Sequence, residues 1–183
     1  YTWSLMPQNI EIGGRNLLLN SRINYLLGSG SYTIHELYED PNEGIVLKSD
    51  RQYLHDNNLI VNPFIEEGTT LTFSFRIKGE QQGSVRFQLH DGVTLTGTQT
   101  IQVSDTWETI SLTTTLIKNL NVPTRIYVYP QDFPIYLKSI KIEKGNKATD
   151  WTPAPEDVQE QIDEAKQEAE EAKQEAQQAQ TTA

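Results

Sequence analysis

The sequence predicts an all-β body, an antiparallel sandwich or barrel, followed by one long C-terminal helix. Before Pro155, apolar and polar residues alternate through several short segments that Gly, Pro, Asn and Asp separate. Such alternation buries one face of a strand and leaves the other in solvent. After Pro155 the composition changes to Ala, Glu, Gln and Lys, which favour a helix. The 183 residues fit one or two domains.

Residues 1–14 are expected to be a connector, because Pro7 and a Gly13–Gly14 pair interrupt regular structure. The chain begins at Tyr1, so we expect it to be a fragment or a processed product. Residues 15–155 form the predicted β-module. The predicted strands are residues 15–20, 32–37, 45–49, 70–78, 84–90, 98–103, 107–116, 124–129 and 135–143.

The polar stretch 144–155 is the predicted exit from the module. Gly145, Pro153 and Pro155 cannot continue a strand ladder or stand inside a helix. Trp151 is the one large apolar side chain in this stretch. Because an indole is usually at least partly buried, we expect Trp151 to fold back and close the bottom of the core.

Residues 156–183 form the predicted helix. Glu156 and Asp157 bring negative charge to its first turn, which suits the helix dipole. Its apolar residues are spaced alternately by four and three, as in the a/d seam of a coiled coil. An alanine-rich seam buries little area, so a single-helix spacer remains the alternative. The seam residues are Val158, Ile162, Ala165, Ala169, Ala172, Ala176 and Ala179.

Composition excludes several classes of function. The net charge is −10, and most of it lies in the predicted helix, so the body is nearly neutral. A body without a basic stripe is not expected to bind nucleic acid or an anionic membrane surface. No apolar run approaches the roughly 20 residues of a membrane span. Cysteine is absent, which excludes disulfides, thiolate zinc sites and a cysteine nucleophile.

The sequence offers no positive sign of catalysis. His35, His55 and His90 do not have the spacing of metal ligands. The chain also lacks a nucleophile elbow and a phosphate-binding loop. Most carboxylates of the body fall in turn-like stretches, where solvated side chains are the ordinary outcome. We therefore predict no enzyme activity, no cofactor and no metal.

Polar residues on the outward side of the predicted strands favour sugar recognition. A pyranose stacks its C–H face on an aromatic ring, and its hydroxyls suit the planar groups of Arg and Gln. Ordinary solvated strand faces and cross-strand pairs are the alternative explanation. The predicted saccharide-binding residues are Arg76, Arg86, Gln88, His90, Tyr127 and Tyr129, with Tyr53 and His55 on one rim.

Two stretches resemble a known family. Residues 14–21 (GRNLLLNS) and residues 135–155 (IYLKSIKIEKGNKATDWTPAP) are similar to the first and last strands of carbohydrate-binding modules in phage tail proteins. Those phages infect Gram-positive bacteria. The resemblance implies a jelly-roll sandwich that binds cell-wall saccharide in a tail tip, baseplate or fibre of the virion. It also implies a homotrimer, which would make the helix a coiled-coil stalk. Residues 1–14 would then be the connector from a preceding module.

Many jelly-roll modules of this kind carry a structural calcium ion near their first and last strands. The corresponding stretch here is Leu137-Lys138-Ser139, and Lys138 has the wrong charge for a cation site, so none is expected. Two other functions stay open at this point, a structural spacer without a ligand and a polysaccharide-degrading domain. If a calcium site were present, its candidate ligands would be Glu39, Asp40, Glu43 and Glu143.

Overall fold

The computed structural model describes residues 13–18, 35–49, 65–90, 96–120, 125–130 and 133–182. These residues contain eight strands and one C-terminal helix. The elements are β1 (His35–Asp40), β2 (Gly44–Ser49), β3 (Thr70–Gly79), β4 (Gly83–His90), β5 (Gln99–Val103), β6 (Glu108–Thr115), β7 (Arg125–Pro130), β8 (Ile135–Lys144) and α1 (Pro155–Thr182).

The strands form two antiparallel sheets. One has five strands in the order β1-β2-β8-β3-β6, and the other has three in the order β5-β4-β7. Every strand pair is antiparallel. The last strand, β8, lies between β2 and β3. The predicted fold class, an all-β antiparallel sandwich followed by a helix, is confirmed.

The core lies between the two sheets. Phe73 and Phe75 of β3 contact Phe87 of β4, with ring centroids 4.8 and 5.8 Å apart. Each of these three rings is at most 2% exposed. The alternation predicted for residues 70–78 and 84–90 is therefore the pattern that buries one face of each strand.

The first hairpin differs from its prediction, because β1 continues to Asp40 rather than ending at residue 37. The Asp40 carboxylate accepts hydrogen bonds from the backbone N–H groups of Asn42 and Glu43, at 3.0 and 3.1 Å. Gly44 follows with φ of 73°, a conformation that favours glycine. The acidic stretch that looked like a loop is thus the turn of a hairpin.

A β-bulge interrupts the pairing of β3 with β8. The register shifts between Ser74, opposite Lys141, and Arg76, opposite Lys138. Ser139 takes the extra place on β8 with φ of 54°, in the left-handed region that non-glycine residues rarely adopt. An extra residue re-aims the side chains that follow it, so Leu137 and Ile140 both face the core although they are three residues apart.

The N-terminal segment of the module is fastened to β8 by one side chain. Asn16 is fully buried. Its Nδ2 donates to the carbonyl of Thr152 at 2.9 Å and, at 3.4 Å, to that of Ile140. Its Oδ1 accepts from the N–H groups of Leu18 and Ile142, both at 3.1 Å. One amide therefore joins the N-terminal segment, the last strand and the exit segment.

A buried ion pair completes this attachment. The side chains of Lys141 and Glu143 are at most 1% exposed, and their charged atoms are 3.8 Å apart. Lys141 Nζ donates to Thr149 Oγ1 at 2.6 Å and to the carbonyl of Asp150 at 2.7 Å. Glu143 accepts from Gly14 N, Thr149 N and Thr149 Oγ1 at 2.7–2.8 Å. We call Asn16, Lys141, Glu143 and Thr149 the terminal clamp.

The hydrogen bonds of the terminal clamp decide the ionisation of its carboxylate. Burial alone would raise the pKa of Glu143. The donors on Thr149 and Gly14, together with the charge of Lys141, outweigh it and hold that pKa below its ordinary value. The carboxylate is therefore charged at neutral pH, and both of its oxygens accept hydrogen bonds.

The helix begins beside the terminal clamp. Arg15 makes an ion pair with Glu156 in the first turn, and Ala154 and Asp157 are buried there. Farther on, the helix lies in solvent. Val158 and Ile162 are 38% and 44% exposed, and the seam alanines are exposed as well. The division into a connector, a module and a helix stays a prediction, and residues 1–12 of the connector lie outside the described residues.

Candidate functional site

The outward face of β4 carries the predicted polar residues. Val85, Phe87 and Leu89 are at most 2% exposed, so the residues between them belong to the opposite face of the strand. Arg86 is exposed and Gln88 is half-buried. Gln88 Oε1 accepts a hydrogen bond from Thr98 Oγ1 at 3.3 Å. The alternation seen in the sequence therefore does present these two side chains on the outside of the three-stranded sheet.

The register of β4 with β7 brings the other predicted positions alongside. Tyr129 is the Cα partner of Arg86, Tyr127 is the partner of Gln88, and Arg125 is the partner of His90. We call these positions on β4 and β7 the β4–β7 face. Five of the eight predicted saccharide-binding residues thus occupy paired positions on two neighbouring strands.

The structure places Arg76 elsewhere. It lies on β3, in the five-stranded sheet, whereas Arg86 lies on β4, in the three-stranded sheet. Its Nη2 is 2.5 Å from Glu43 Oε1. Arg76 and Arg86 therefore do not share one surface, because the chain crosses from one sheet to the other between β3 and β4. Tyr53 and His55 lie outside the described residues.

Arg76 belongs to a group of charged and aromatic side chains on the outer face of the five-stranded sheet. Its centre is Asp40, which accepts hydrogen bonds from Lys78 Nζ at 2.8 Å and Trp107 Nε1 at 3.2 Å. The hydrogen bond from Lys78, followed by those from the Asn42 N–H, the indole and the Glu43 N–H, holds the pKa of Asp40 well below its usual range. Asp40 is charged at neutral pH and ties the first hairpin to β3.

Two aromatic rings lie beside Lys78 in this group. Lys78 Nζ lies 5.4 Å from the Trp107 ring centroid and 5.0 Å from that of Tyr136, within the range of a cation–π contact. Lys138 Nζ lies 3.1 Å from a carboxylate oxygen of Glu43. Because these charges are paired with one another, the group serves to hold the hairpin on the sheet. Asp40, Glu43 and Glu143 are among the candidate calcium ligands. The side chains of Asp40 and Glu43 are engaged in these contacts, and that of Glu143 is engaged in the terminal clamp.

Next to Arg76, the outer face of the five-stranded sheet contains a cleft of about 370 Å³. Trp151 stands at one side of it and is 40% exposed, so the expectation that this indole closes the bottom of the core is wrong. Its Nε1 donates to the carbonyl of Ile140 at 3.1 Å, which holds the ring on the outside of β8. We call this the Trp151 cleft; it is lined by Ser74, Phe75, Arg76, Thr109, Ser139, Ala148, Thr149, Asp150 and Trp151.

Sequence reasoning missed this cleft for an identifiable reason. Its floor depends on the bulge at Ser139, and serine gives no signal of a left-handed backbone. Its wall depends on how the exit segment folds back over β3 and β8. The one signal available was Trp151 in a polar stretch.

The described residues show neither a metal cluster nor a membrane-spanning helix. Nowhere among them do three or more His, Asp or Glu side chains meet as a metal site would require. Within the same residues, α1 is too polar to cross a bilayer, and no other helix is present.

Comparison with known proteins finds structural neighbours only. No protein-family model matches the chain, and no curated protein matches it significantly. A solved structure described as "CBM4 structure and function" has 13% identity and a TM-score of 0.43, covering 61% of this chain and 90% of that one. A carbohydrate-binding module from Cellvibrio mixtus lichenase 5A, in complex with cellotriose, has 19% identity and a TM-score of 0.41, covering 74% and 100%.

A third neighbour comes from a virus. The tripod (BppUct-A-L) from the baseplate of bacteriophage Tuc2009 has 14% identity and a TM-score of 0.40, covering 80% of this chain and 60% of that one. At these identities and TM-scores the neighbours carry no argument about what this chain binds.

Proposed function

We propose that the sandwich is a non-catalytic saccharide-binding module that uses the β4–β7 face. The observation that carries the proposal is the register, which sets Arg86 opposite Tyr129 and Gln88 opposite Tyr127. Directly opposite residues of an antiparallel pair share one face of the sheet. The β4–β7 face therefore alternates tyrosine positions with planar hydrogen-bonding groups.

That combination suits a sugar ring. A tyrosine ring offers an apolar surface for the C–H face of a pyranose and a hydroxyl at its edge. The guanidinium of Arg86 presents several donors in a fixed plane, and the Gln88 amide presents both a donor and an acceptor. Arg86 is exposed, so a ligand can reach it without rearrangement of the sheet.

The finer proposal concerns the ligand and its setting. The resemblance of residues 14–21 and 135–155 to phage tail modules supports host cell-wall polysaccharide as the ligand. It also supports a virion location, in a tail tip or fibre outside the cell. The exposed seam of α1, led by Val158 and Ile162, supports a homotrimeric stalk. Three weak sites on one stalk would bind a repetitive polysaccharide far more tightly than one site does.

The test is binding to purified Gram-positive cell walls and to the polysaccharide released from them. We expect Arg86→Ala to weaken binding about tenfold or more, because hydrogen bonds to charged groups contribute about 1.5–3 kcal/mol. Gln88→Ala should weaken it less, because a neutral hydrogen bond contributes about 0.5–1.5 kcal/mol. Tyr127→Ala should also weaken binding, through lost stacking. Thr115→Ala, at an exposed position on β6 in the other sheet, is the control. Unchanged binding by all three β4–β7 variants would show that this face is not the site.

A structural spacer is the second candidate. The observation that favours it is the terminal clamp with the Arg15–Glu156 ion pair, which joins the sandwich to the start of the helix by several contacts. A spacer binds no saccharide in the same assay. Release of reducing ends from wall polysaccharide would instead support the third candidate, a polysaccharide-degrading domain.

A further inference from the structure

We infer that the Trp151 cleft is a second saccharide site, and that it takes a neutral pyranose. It lies on the outer face of the five-stranded sheet, whereas the β4–β7 face belongs to the other sheet. The inference does not depend on the β4–β7 face, and either site can be present without the other. With both sites, one sandwich could hold two segments of polysaccharide on opposite sides.

The shape of the cleft comes from two features that meet there. The bulge between Ser74 and Arg76 interrupts the pairing of β3 with β8, and Ser139 fills the extra place with a left-handed backbone. Residues 148–151 of the exit segment line the cleft beside this bulge. The volume of about 370 Å³ falls within the range of about 300–1,000 Å³ that small-molecule sites occupy.

Trp151 supplies the stacking surface. Its indole is 40% exposed, and the hydrogen bond from Nε1 to the Ile140 carbonyl at 3.1 Å fixes the ring plane. The terminal clamp holds the backbone just before it, because Lys141 binds the Asp150 carbonyl and Glu143 binds Thr149. A ring that is already ordered loses little conformational entropy when a sugar stacks on it.

Hydrogen-bonding groups line the same cleft. Ser74 and Ser139 project from the outer side of β3 and β8, and Thr109 is exposed on the neighbouring strand β6. Within the part of the chain that the structure describes, the hydroxyls of these three residues make no hydrogen bond with another described residue. Hydroxyls both donate and accept, as sugar hydroxyls require.

The charges of the cleft decide the class of sugar. Arg76 and Lys138 share the carboxylate of Glu43, with 2.5 and 3.1 Å between the charged atoms. Asp150 in the exit segment is exposed and adds a second negative charge, so two carboxylates face two cations. The cleft therefore has no net attraction for a carboxylate or phosphate. The exposed carboxylate of Asp150 would repel an acidic sugar. A neutral pyranose is the ligand that fits this balance.

The experiment follows the resonance of Trp151 itself. The full chain is labelled with 5-fluorotryptophan, which gives three fluorine signals for its three tryptophans, and Trp151→Phe assigns one of them. Oligosaccharides from partly hydrolysed Gram-positive cell walls are separated by anion exchange into neutral and acidic fractions. We expect the neutral fraction to shift the Trp151 signal in a saturable way.

A cleft-filling variant tests whether this shift reports binding in the cleft. Thr109→Tyr places a large ring in the cleft and adds no tryptophan, and we expect it to weaken the response of Trp151 at least tenfold. Thr115→Tyr is the matched control, because it lies on the same strand six residues away, about 20 Å along β6. Circular dichroism and a cooperative urea unfolding curve establish that each variant is folded.

The outcomes separate the two proposals. A Trp151 shift that survives Arg86→Ala but disappears in Thr109→Tyr supports the cleft whatever happens at the β4–β7 face. Binding to cell walls without any shift of the Trp151 signal overturns the proposal of a saccharide site in the cleft. It leaves the proposal for the β4–β7 face standing. A shift caused by the acidic fraction alone, or one that Thr109→Tyr leaves unchanged, also overturns the inference.

Discussion

Replacing Asn16 by alanine tests the terminal clamp at its centre. The substitution removes four hydrogen bonds from an amide that is fully buried. The Ile140 carbonyl keeps a partner, because Trp151 Nε1 also donates to it. The N–H groups of Leu18 and Ile142 and the carbonyl of Thr152 lose the bond that Asn16 provides.

The expected cost follows from those three groups. A buried polar group left without its partner costs about 1–3 kcal/mol, and partial access of water reduces this. We therefore expect Asn16→Ala to lower the free energy of unfolding by about 3–5 kcal/mol. Total stabilities of domains are about 5–15 kcal/mol, so the sandwich should remain folded but with a much smaller margin.

The assay is urea unfolding at pH 7, followed by tryptophan fluorescence because the three tryptophans lie outside the helix. Gln102→Ala is the control, since it removes one exposed hydrogen bond, to Ser84 at 2.9 Å, and should change stability by at most about 0.5 kcal/mol. A loss for Asn16→Ala no larger than that of the control would refute the view that this amide holds the module closed.

Three further predictions concern the pH response, the core and the stalk. The pKa of Glu143 is lower in the folded protein than in the unfolded chain, so its charged form stabilises the fold at neutral pH. That contribution is lost as the pH falls through the pKa of the folded state. The urea concentration at the unfolding midpoint should therefore drop on acidification, and it should drop less steeply in Glu143→Gln. Gly83→Ala should destabilise the sandwich strongly, because the added Cβ would lie 2.3 Å from the Phe133 ring. Gly97→Ala is the control, because its Cβ would enter open space. The melting temperatures of the two variants test this expectation. Ile162→Asp should convert a trimer to monomers in analytical ultracentrifugation, and a monomeric unmodified chain would contradict the stalk.

The strands could be predicted because their signal is local. Alternation in residues 70–78 and 84–90 depends only on the geometry of an extended chain, and it matches β3 and β4 closely. The order of the strands depends on contacts between distant segments. Nothing local indicates that β8 pairs with both β2 and β3, or that Arg76 and Arg86 belong to different sheets.

The two motifs that carried the family resemblance have a structural explanation. Asn16 lies in the first motif, and Lys141, Glu143 and Thr149 lie in the second. They meet in the terminal clamp, where each side chain has buried partners that a substitute of different shape or charge could not satisfy. Such residues identify a fold and say little about its ligand.

The position of the terminal clamp determines how the sandwich would respond to a pulling force. Residues 14–17 and 149–156 meet beside β8, so the chain arrives and departs at one point of the module. Tension along a fibre would pass from Arg15 to Glu156 through the terminal clamp. The two sheets would lie beside the line of force. The hydrogen bonds of Asn16 and Glu143 would be strained first, while the strands that present the proposed sugar sites would stay paired.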